Sequence, residues 1–291
     1  MRRMFFIGVS TSQSSIQTIF PKWASLAGIR DAELVGIDIP IGAGPEIYRS
    51  RVSAILGDTE ADGGLVTTHK VDVFRHAGDL FAELDDDAAA LGEISCIVRR
   101  EGQLHGSTPD VLTTGLAFNA LIAERPFRGN VLIMGAGGAG SALAVNLSRE
   151  HPAAQVTLTD ISAARLDHVR QLTPARVELV GNADDHDRLL SAMPSGSVIV
   201  NATGMGKDRP GSPISHAAVF PSGSIAWDLN YRGELMFLQQ ARRQGIQAVD
   251  GWECFLHGWS QTMSRVYGFS LTAELSAAMR REAESVRAAT S

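Results

Sequence analysis

The chain has 291 residues, 44% of them hydrophobic and 20% charged, with a formal net charge of −6. That length holds two domains, the apolar content excludes a disordered chain, and the acidic balance without a basic run excludes a nucleic-acid footprint. No stretch approaches the ~18 apolar residues of a membrane span, and two distant cysteines, Cys96 and Cys254, lack metal-ligand spacing. The expectation is a cytoplasmic protein with reduced thiols, bound neither to membrane nor to nucleic acid.

The N-terminal MRRMFFIGVS passes directly into polar STSQSS without a small-residue cleavage site, so it is read as the first strand rather than a signal peptide. Strands are predicted at residues 4–9, 33–39 and 64–68, with helices at 15–27 and 46–56 between them. This is a βαβαβ unit with a parallel sheet. EISCIVRREGQLHGS then reads as a hairpin turning at residues 100–102. From residue 131 the alternation restarts, with strands at 131–134, 155–159, 177–180, 198–201 and 224–228. The last forty residues, from Gly251, are mainly helical and must pack on an earlier layer to bury an apolar face. The predicted fold class is α/β with two domains: a substrate domain (1–114), a Rossmann-type NAD-binding domain (115–250), and C-terminal helices (251–291) that return to the first domain.

The most specific stretch is VLIMGAGGAGSALAVNL at 131–147, an apolar strand feeding a glycine turn that opens a helix. Gly135 permits a tight turn, Gly137 lets the backbone approach a pyrophosphate, and Gly140 allows close helix–strand packing. Gly138, Ala139 and Gly140 then present the amides and positive end of the helix to the anion. Asp160, at the end of the next strand, is positioned to accept from adenosine ribose hydroxyls and to repel a 2′-phosphate, which favours NAD over NADP. Its alternative role is a helix N-cap, for which Ser162 competes.

Chemistry is expected in the first domain. An alcohol oxidoreductase needs a group that takes and returns the hydroxyl proton. Lys70, in GGLVTTHKVDVF, follows a buried strand at the sheet edge where α/β folds put ligands, and partial desolvation there favours its use as a base. Asp110, in LHGSTPDVLTTG, could orient that lysine; its bland role is a helix cap. His69 is either a second acid/base group or a solvent-facing ring.

The stretches TTHK (67–70), LGEISC (91–96), GSTPD (106–110), GAGGAG (135–140), NATGM (201–205), WDLNY (227–231) and DGWECFLHG (250–258) together resemble the shikimate/quinate dehydrogenase family over nearly the whole chain. The resemblance implies Lys70 and Asp110 as the catalytic pair, and it implies substrate contacts from Ser12, Ser14, Thr67, Ser95, Tyr231 and His257. Asn201, Thr203 and Met205 are implied at the border of the nicotinamide. It also implies a place in aromatic amino acid biosynthesis. The substrate half departs from the family pattern. STSQSS keeps only the serine spacing, Ser95 stands where the family has asparagine, and Gly258 falls where it has glutamine. Where NADP-using members carry Asn-Arg-Thr, this chain has Asp160, Ile161 and Ser162, in agreement with NAD. The function implied is reversible oxidation of a secondary ring alcohol on a shikimate- or quinate-like cyclic hydroxy acid by a monomer or homodimer. The alternative is an NAD-binding sensor or partner protein that has lost turnover.

Overall fold

The computed structural model describes residues 1–123, 126–207 and 209–290. The chain divides into two compact units, Met1–Pro109 together with the chain from Gly258 onward, and Asp110–His257.

The first unit contains β1 (Arg2–Gly8), α1 (Ile16–Leu26), β2 (Ala32–Asp38), α2 (Pro45–Gly57), β3 (Ala61–Val66), α3 (Lys70–Ala77), β4 (Phe81–Leu84), α4 (Asp86–Leu91), β5 (Cys96–Arg100) and β6 (Gln103–Ser107). They form one mixed sheet in the order β2-β1-β3-β5-β6-β4. β1 is parallel to both β2 and β3, which is the predicted βαβαβ unit. The apolar run Met4–Ile7 is buried on both faces, as a central parallel strand requires. β5 runs antiparallel to β3 and β6, so the predicted hairpin is present. Its turn residues, Glu101 and Gly102, both have positive φ, the geometry that matches strand twist in a two-residue loop. β4 has no counterpart among the predicted strands, because FAEL contains no β-branched residue and no apolar–polar alternation.

α1 buries Ile16, Ile19, Phe20, Trp23 and Ala24, spaced three and four apart as one helical face demands. The final helix of the chain, α11, covers that face. Trp23 Nε1 donates to the Met279 carbonyl at 2.7 Å, and Lys22 pairs with Glu282 at 3.0 Å.

The second unit contains α5 (Asp110–Leu121), β7 (Asn130–Met134), α6 (Gly138–Glu150), β8 (Gln155–Asp160), α7 (Ala163–Leu172), β9 (Arg176–Leu179), α8 (Ala183–Ser191), β10 (Val198–Asn201), β11 (Ile225–Asp228), α9 (Met236–Arg243) and β12 (Gln247–Val249). All six strands are parallel, in the order β12-β11-β10-β7-β8-β9. The order reverses between β7 and β10, the crevice where open parallel sheets bind ligands. Val131–Met134 are fully buried, each side chain contributing roughly 1.5–3 kcal/mol. β12 was also unforeseen, being three residues long.

α10 (Trp252–Tyr267) carries the division at His257 and Gly258, and α11 (Ala273–Thr290) follows it. The divisions expected from sequence fall at 114/115 and 250/251. In the structure α5 stays whole beside α6: a side-chain carbon on Gly115 would collide with Asn146 of α6, so only glycine fits there. Among the described residues no helix is long and apolar enough to cross a membrane.

Candidate functional site

At the carboxyl edge of the second sheet, each glycine of the turn after β7 has its own reason. Gly135 has φ +106°, and a Cβ there would stand 2.7 Å from the Ala202 carbonyl oxygen. Gly140 lies so close to Gly135 that a Cβ would collide with its carbonyl oxygen. A Cβ on Gly137, by contrast, would meet no protein atom within 4 Å. That glycine borders open space, which close approach of a phosphate to the backbone requires. The first-turn amides of Gly138, Ala139 and Gly140 precede the first intrahelical bond, Ser141 N–H to Gly137 O at 2.9 Å. The turn therefore fits a dinucleotide pyrophosphate.

Asp160 closes β8 beside this turn and is 6% exposed. Its Oδ2 accepts from the Ala136 amide at 2.7 Å and its Oδ1 from the Ser162 amide at 2.8 Å. A carboxylate has about four acceptor positions, so capacity remains for ribose hydroxyls. Ser162, whose Oγ accepts from Arg165 N, caps α7. Asp160 is therefore not the cap. Arg165 reaches Asp160 Oδ2 at 3.8 Å and partly offsets its charge. Behind the carboxylate, Thr159 Oγ1 meets His186 Nε2 at 2.8 Å, and burial holds the His186 pKa below its ordinary value.

The side chain of Asn201 is fully engaged within the protein. Its Nδ2 donates to Asp228 Oδ2 (2.8 Å) and to the Met205 carbonyl (3.2 Å), and its Oδ1 accepts from Thr203 N and Oγ1. Thr203 Oγ1 in turn accepts from Met205 N at 3.1 Å. Asn201 and Thr203 thus shape the turn, leaving its backbone and the half-buried Met205 side chain at the edge. Asp228 takes two further hydrogen bonds from Asn230, and burial pushes its carboxyl up to about 6. Tyr231 packs its ring on Phe255 (4.6 Å between centroids) and Trp252 (5.4 Å). On α10, His257 Nε2 lies 3.6 Å from Glu253 Oε2 one turn away. A Cβ on the next residue, Gly258, would meet no atom within 4 Å.

The first unit gathers a second group at the carboxyl edge of β1, β2 and β3. Gly8 ends β1, and a Cβ there would lie 3.0 Å from Thr67 Cγ2 and 3.2 Å from Thr11 Cγ2. Glycine thereby lets the serine loop and the turn after β3 close on one point. Thr11 N and Oγ1 both donate to Asp38 Oδ1, at 2.7 and 2.6 Å, which pins the loop to the end of β2. Along that loop Ser12 is exposed and Ser14 buried. Lys70, half-buried, is the first residue of α3, and its carbonyl accepts from Ile94 N at 3.1 Å. One residue on, Ser95 has its carbonyl bonded to Val66 N, while its buried Oγ has no partner among the described residues. Ser12, Ser14, Thr67, Lys70 and Ser95 thus share one sheet edge. Asp110 belongs to the other unit, where it opens α5 and its carbonyl accepts from Thr114 Oγ1 at 2.7 Å.

His69 is neither solvent-facing nor a second exposed acid/base group; it is buried and hydrogen-bonded on both ring nitrogens. Sequence reasoning also passed over Thr11, Asp38, Tyr48, Glu93 and Arg165. A strand-terminal acid such as Asp38 is a legible signal. The buried Glu93 carries none, since an acid after a helix-ending glycine reads as surface. Among the described residues no three side chains are grouped to hold a metal ion.

No family model matches the chain. It is similar to the shikimate dehydrogenase (NADP(+)) of Methylobacterium radiotolerans, with 31% identity over 264 residues, 88% of this chain and 87% of that one. The corresponding enzyme of Streptococcus gordonii is 29% identical over 199 residues, 66% of this chain and 68% of its own. Among solved structures, shikimate dehydrogenase from Aquifex aeolicus has a TM-score of 0.77 at 20% identity, covering 97% of both chains. The quinate dehydrogenase of Corynebacterium glutamicum, in complex with NAD, has a TM-score of 0.72 at 22% identity, covering 98% of this chain and 99% of that one. Shikimate 5-dehydrogenase from Thermus thermophilus, in complex with NADP(H) and shikimate, has a TM-score of 0.72 at 22% identity, covering 97% and 100%. At such identities the solved structures establish likeness of fold.

Proposed function

The chain belongs to the shikimate/quinate dehydrogenase family of NAD(P)-dependent oxidoreductases, and on that premise we propose that it interconverts a secondary ring alcohol and a ketone on a shikimate- or quinate-like cyclic hydroxy acid, with NAD preferred over NADP. The observation that carries this reading is the closure of Thr11 and Thr67 on Gly8. It supports a single polar edge that includes Ser12, Ser14, Thr67 and Lys70, suited to a small polyhydroxylated acid.

In this mechanism Lys70 Nζ takes the proton of the substrate hydroxyl during oxidation and returns it during reduction. Asp110 holds that hydroxyl and orients the lysine. Ser12, Ser14, Thr67 and Ser95 bind the substrate carboxylate and its other hydroxyls, with Tyr231 and His257 as further contacts. Gly135, Gly137 and the amides of Gly138, Ala139 and Gly140 receive the pyrophosphate. Asp160 takes the ribose, and the turn built by Asn201 and Thr203 sets Met205 against the nicotinamide. The bound dinucleotide supplies the hydride acceptor or donor. The preference for NAD is supported by the Asp160 carboxylate and by Ile161 beside it, an apolar residue unable to pair with a 2′-phosphate.

The test is absorbance at 340 nm with NAD or NADP and shikimate, quinate or related acids, for the wild type and for Lys70→Ala. A loss of kcat of about 10²–10⁴ in the variant, with dinucleotide binding unchanged, is expected of a general base. Near-normal kcat removes Lys70 from that role. Dinucleotide binding by the wild type without turnover on any of these acids favours a sensor instead.

A further inference from the structure

We propose that Tyr48 and His69 are positioning residues for Lys70, a buried hydrogen-bonded chain from Tyr48 through His69 to the Ile39 carbonyl holding the turn that presents the lysine. The inference rests on the reading of Lys70 as the proton-transfer residue.

Only three residues, Thr67, Thr68 and His69, separate the end of β3 from the start of α3. Thr68 takes φ +49°, a conformation that branched side chains rarely adopt and that persists only when its surroundings enforce it. The enforcing contact is His69. As the residue before the helix it makes no side-chain cap; its ring instead enters the core and is 2% exposed. His69 Nε2 lies 2.8 Å from the Ile39 carbonyl oxygen. A carbonyl only accepts, so Nε2 donates to it, while Nδ1 faces two groups, Tyr48 Oη at 3.3 Å and Asp72 Oδ2 at 4.0 Å. Tyr48 is 1% exposed, and its phenol is pushed up first by burial and then by the charge of Asp72 and a hydrogen bond to it, so Tyr48 and His69 are held together beside one carboxylate.

The sheet order gives this chain its leverage. Ile39 follows β2 and His69 follows β3, while β1 lies between them. The imidazole therefore ties the exits of the two outer strands across the end of the middle one, from which the serine loop departs. Lys70 is joined to His69 by one peptide bond. Releasing the ring lets the strained turn relax and moves the lysine relative to Thr67 and the loop. A misplacement of about 1 Å can cost as much as 10²-fold in rate.

The experiment uses the full chain. Tyr48→Phe deletes one oxygen and keeps the ring, so the fold is retained, as thermal unfolding checks. Its kcat for shikimate or quinate is expected to fall about tenfold with KM for the dinucleotide unchanged. Lys70 is one of three lysines, with Lys22 and Lys207, so its signal is resolved after ¹³C-methylation, and that resonance is expected to move in Tyr48→Phe. His69→Gln, whose amide can still donate to Ile39 O, is expected to recover most of the activity lost in His69→Ala. An unmoved Lys70 resonance together with wild-type kcat in Tyr48→Phe overturns the proposal, as does equal activity of the two His69 variants. Turnover that survives Lys70→Ala removes the proton-transfer reading alone, because the lysine resonance reports positioning whether or not the lysine is the base.

Discussion

Asn201 Nδ2 donates a 2.8 Å hydrogen bond to Asp228 Oδ2, joining the last residues of two neighbouring parallel strands. The bond sits where the turn bearing Thr203 and Met205 leaves the sheet, so the protonation of Asp228 bears on the shape of that turn.

Burial is the main cause that holds the Asp228 carboxyl up at about 6, against the pull of hydrogen bonds from Asn230 and Asn201. Because the folded value lies above the ordinary 3.8, the folded state binds a proton that the unfolded chain releases between those values. The stability from this group is therefore present below about pH 4 and lost as pH rises through about 6, by roughly 2–3 kcal/mol. Denaturant unfolding of wild type and Asp228→Asn should show their difference moving in the variant's favour by that amount between about pH 4 and pH 7. A difference constant with pH would contradict the raised carboxyl.

Gly137 and Gly140 should separate binding from folding. Gly137→Ala places its methyl in open space at an ordinary φ of −73°, so stability should change by less than about 1 kcal/mol. Dinucleotide affinity should nonetheless fall roughly tenfold or more, equal to about 1.4 kcal/mol. Gly140→Ala collides with the Gly135 carbonyl and should lower stability by roughly 1–3 kcal/mol. Calorimetric binding and thermal unfolding of both variants check this; unchanged affinity in Gly137→Ala would remove it from the phosphate site.

Asp160 and Arg165 should move cofactor preference in opposite directions. Asp160→Asn removes the charge that opposes a 2′-phosphate and should lower the NAD-to-NADP ratio of kcat/KM by about tenfold, or 1.4 kcal/mol. Arg165→Ala removes the guanidinium 3.8 Å from that carboxylate and should raise the ratio. If neither variant shifts it, the ribose site lies elsewhere.

Gly115 and Asn146 should be coupled. Gly115→Ala gains helix propensity of about 1 kcal/mol, but its methyl collides with Asn146, and overpacking of this kind costs roughly 1–3 kcal/mol. Asn146 Oδ1 is buried without a partner among the described residues, so Asn146→Ala in the same chain relieves the collision at small cost. A double-mutant cycle by urea unfolding should give a favourable interaction term; strict additivity would refute the contact.

Much of the fold was legible because its signals are local. The strands β7, β10 and β11 are mainly apolar, β8 alternates polar residues with Val156 and Leu158, each ends at or just before a glycine, asparagine or aspartate, and α6 begins where the glycine turn says it must. β4 and β12 have no predicted counterpart because FAEL and QAV lack the run of β-branched or alternating residues that marks β10, and their strand character comes from the neighbours they pair with. The site was legible in part. Asp160 could be placed at a strand end, but its bond to Ala136 joins residues 24 apart in the chain. His69 read as ambiguous because its partners, Tyr48 and Ile39, lie 21 and 30 residues away.

By itself the sequence determined two α/β units, a dinucleotide turn and a family, since glycine conformation, strand runs and motif spacing are properties of neighbouring residues. Only the tertiary structure decided that His69 is an internal anchor, that Asn201 braces Asp228, and that Thr11 and Thr67 meet over Gly8. Those outcomes depend on which buried polar groups find partners once strand register is set, and register joins residues that the chain keeps far apart.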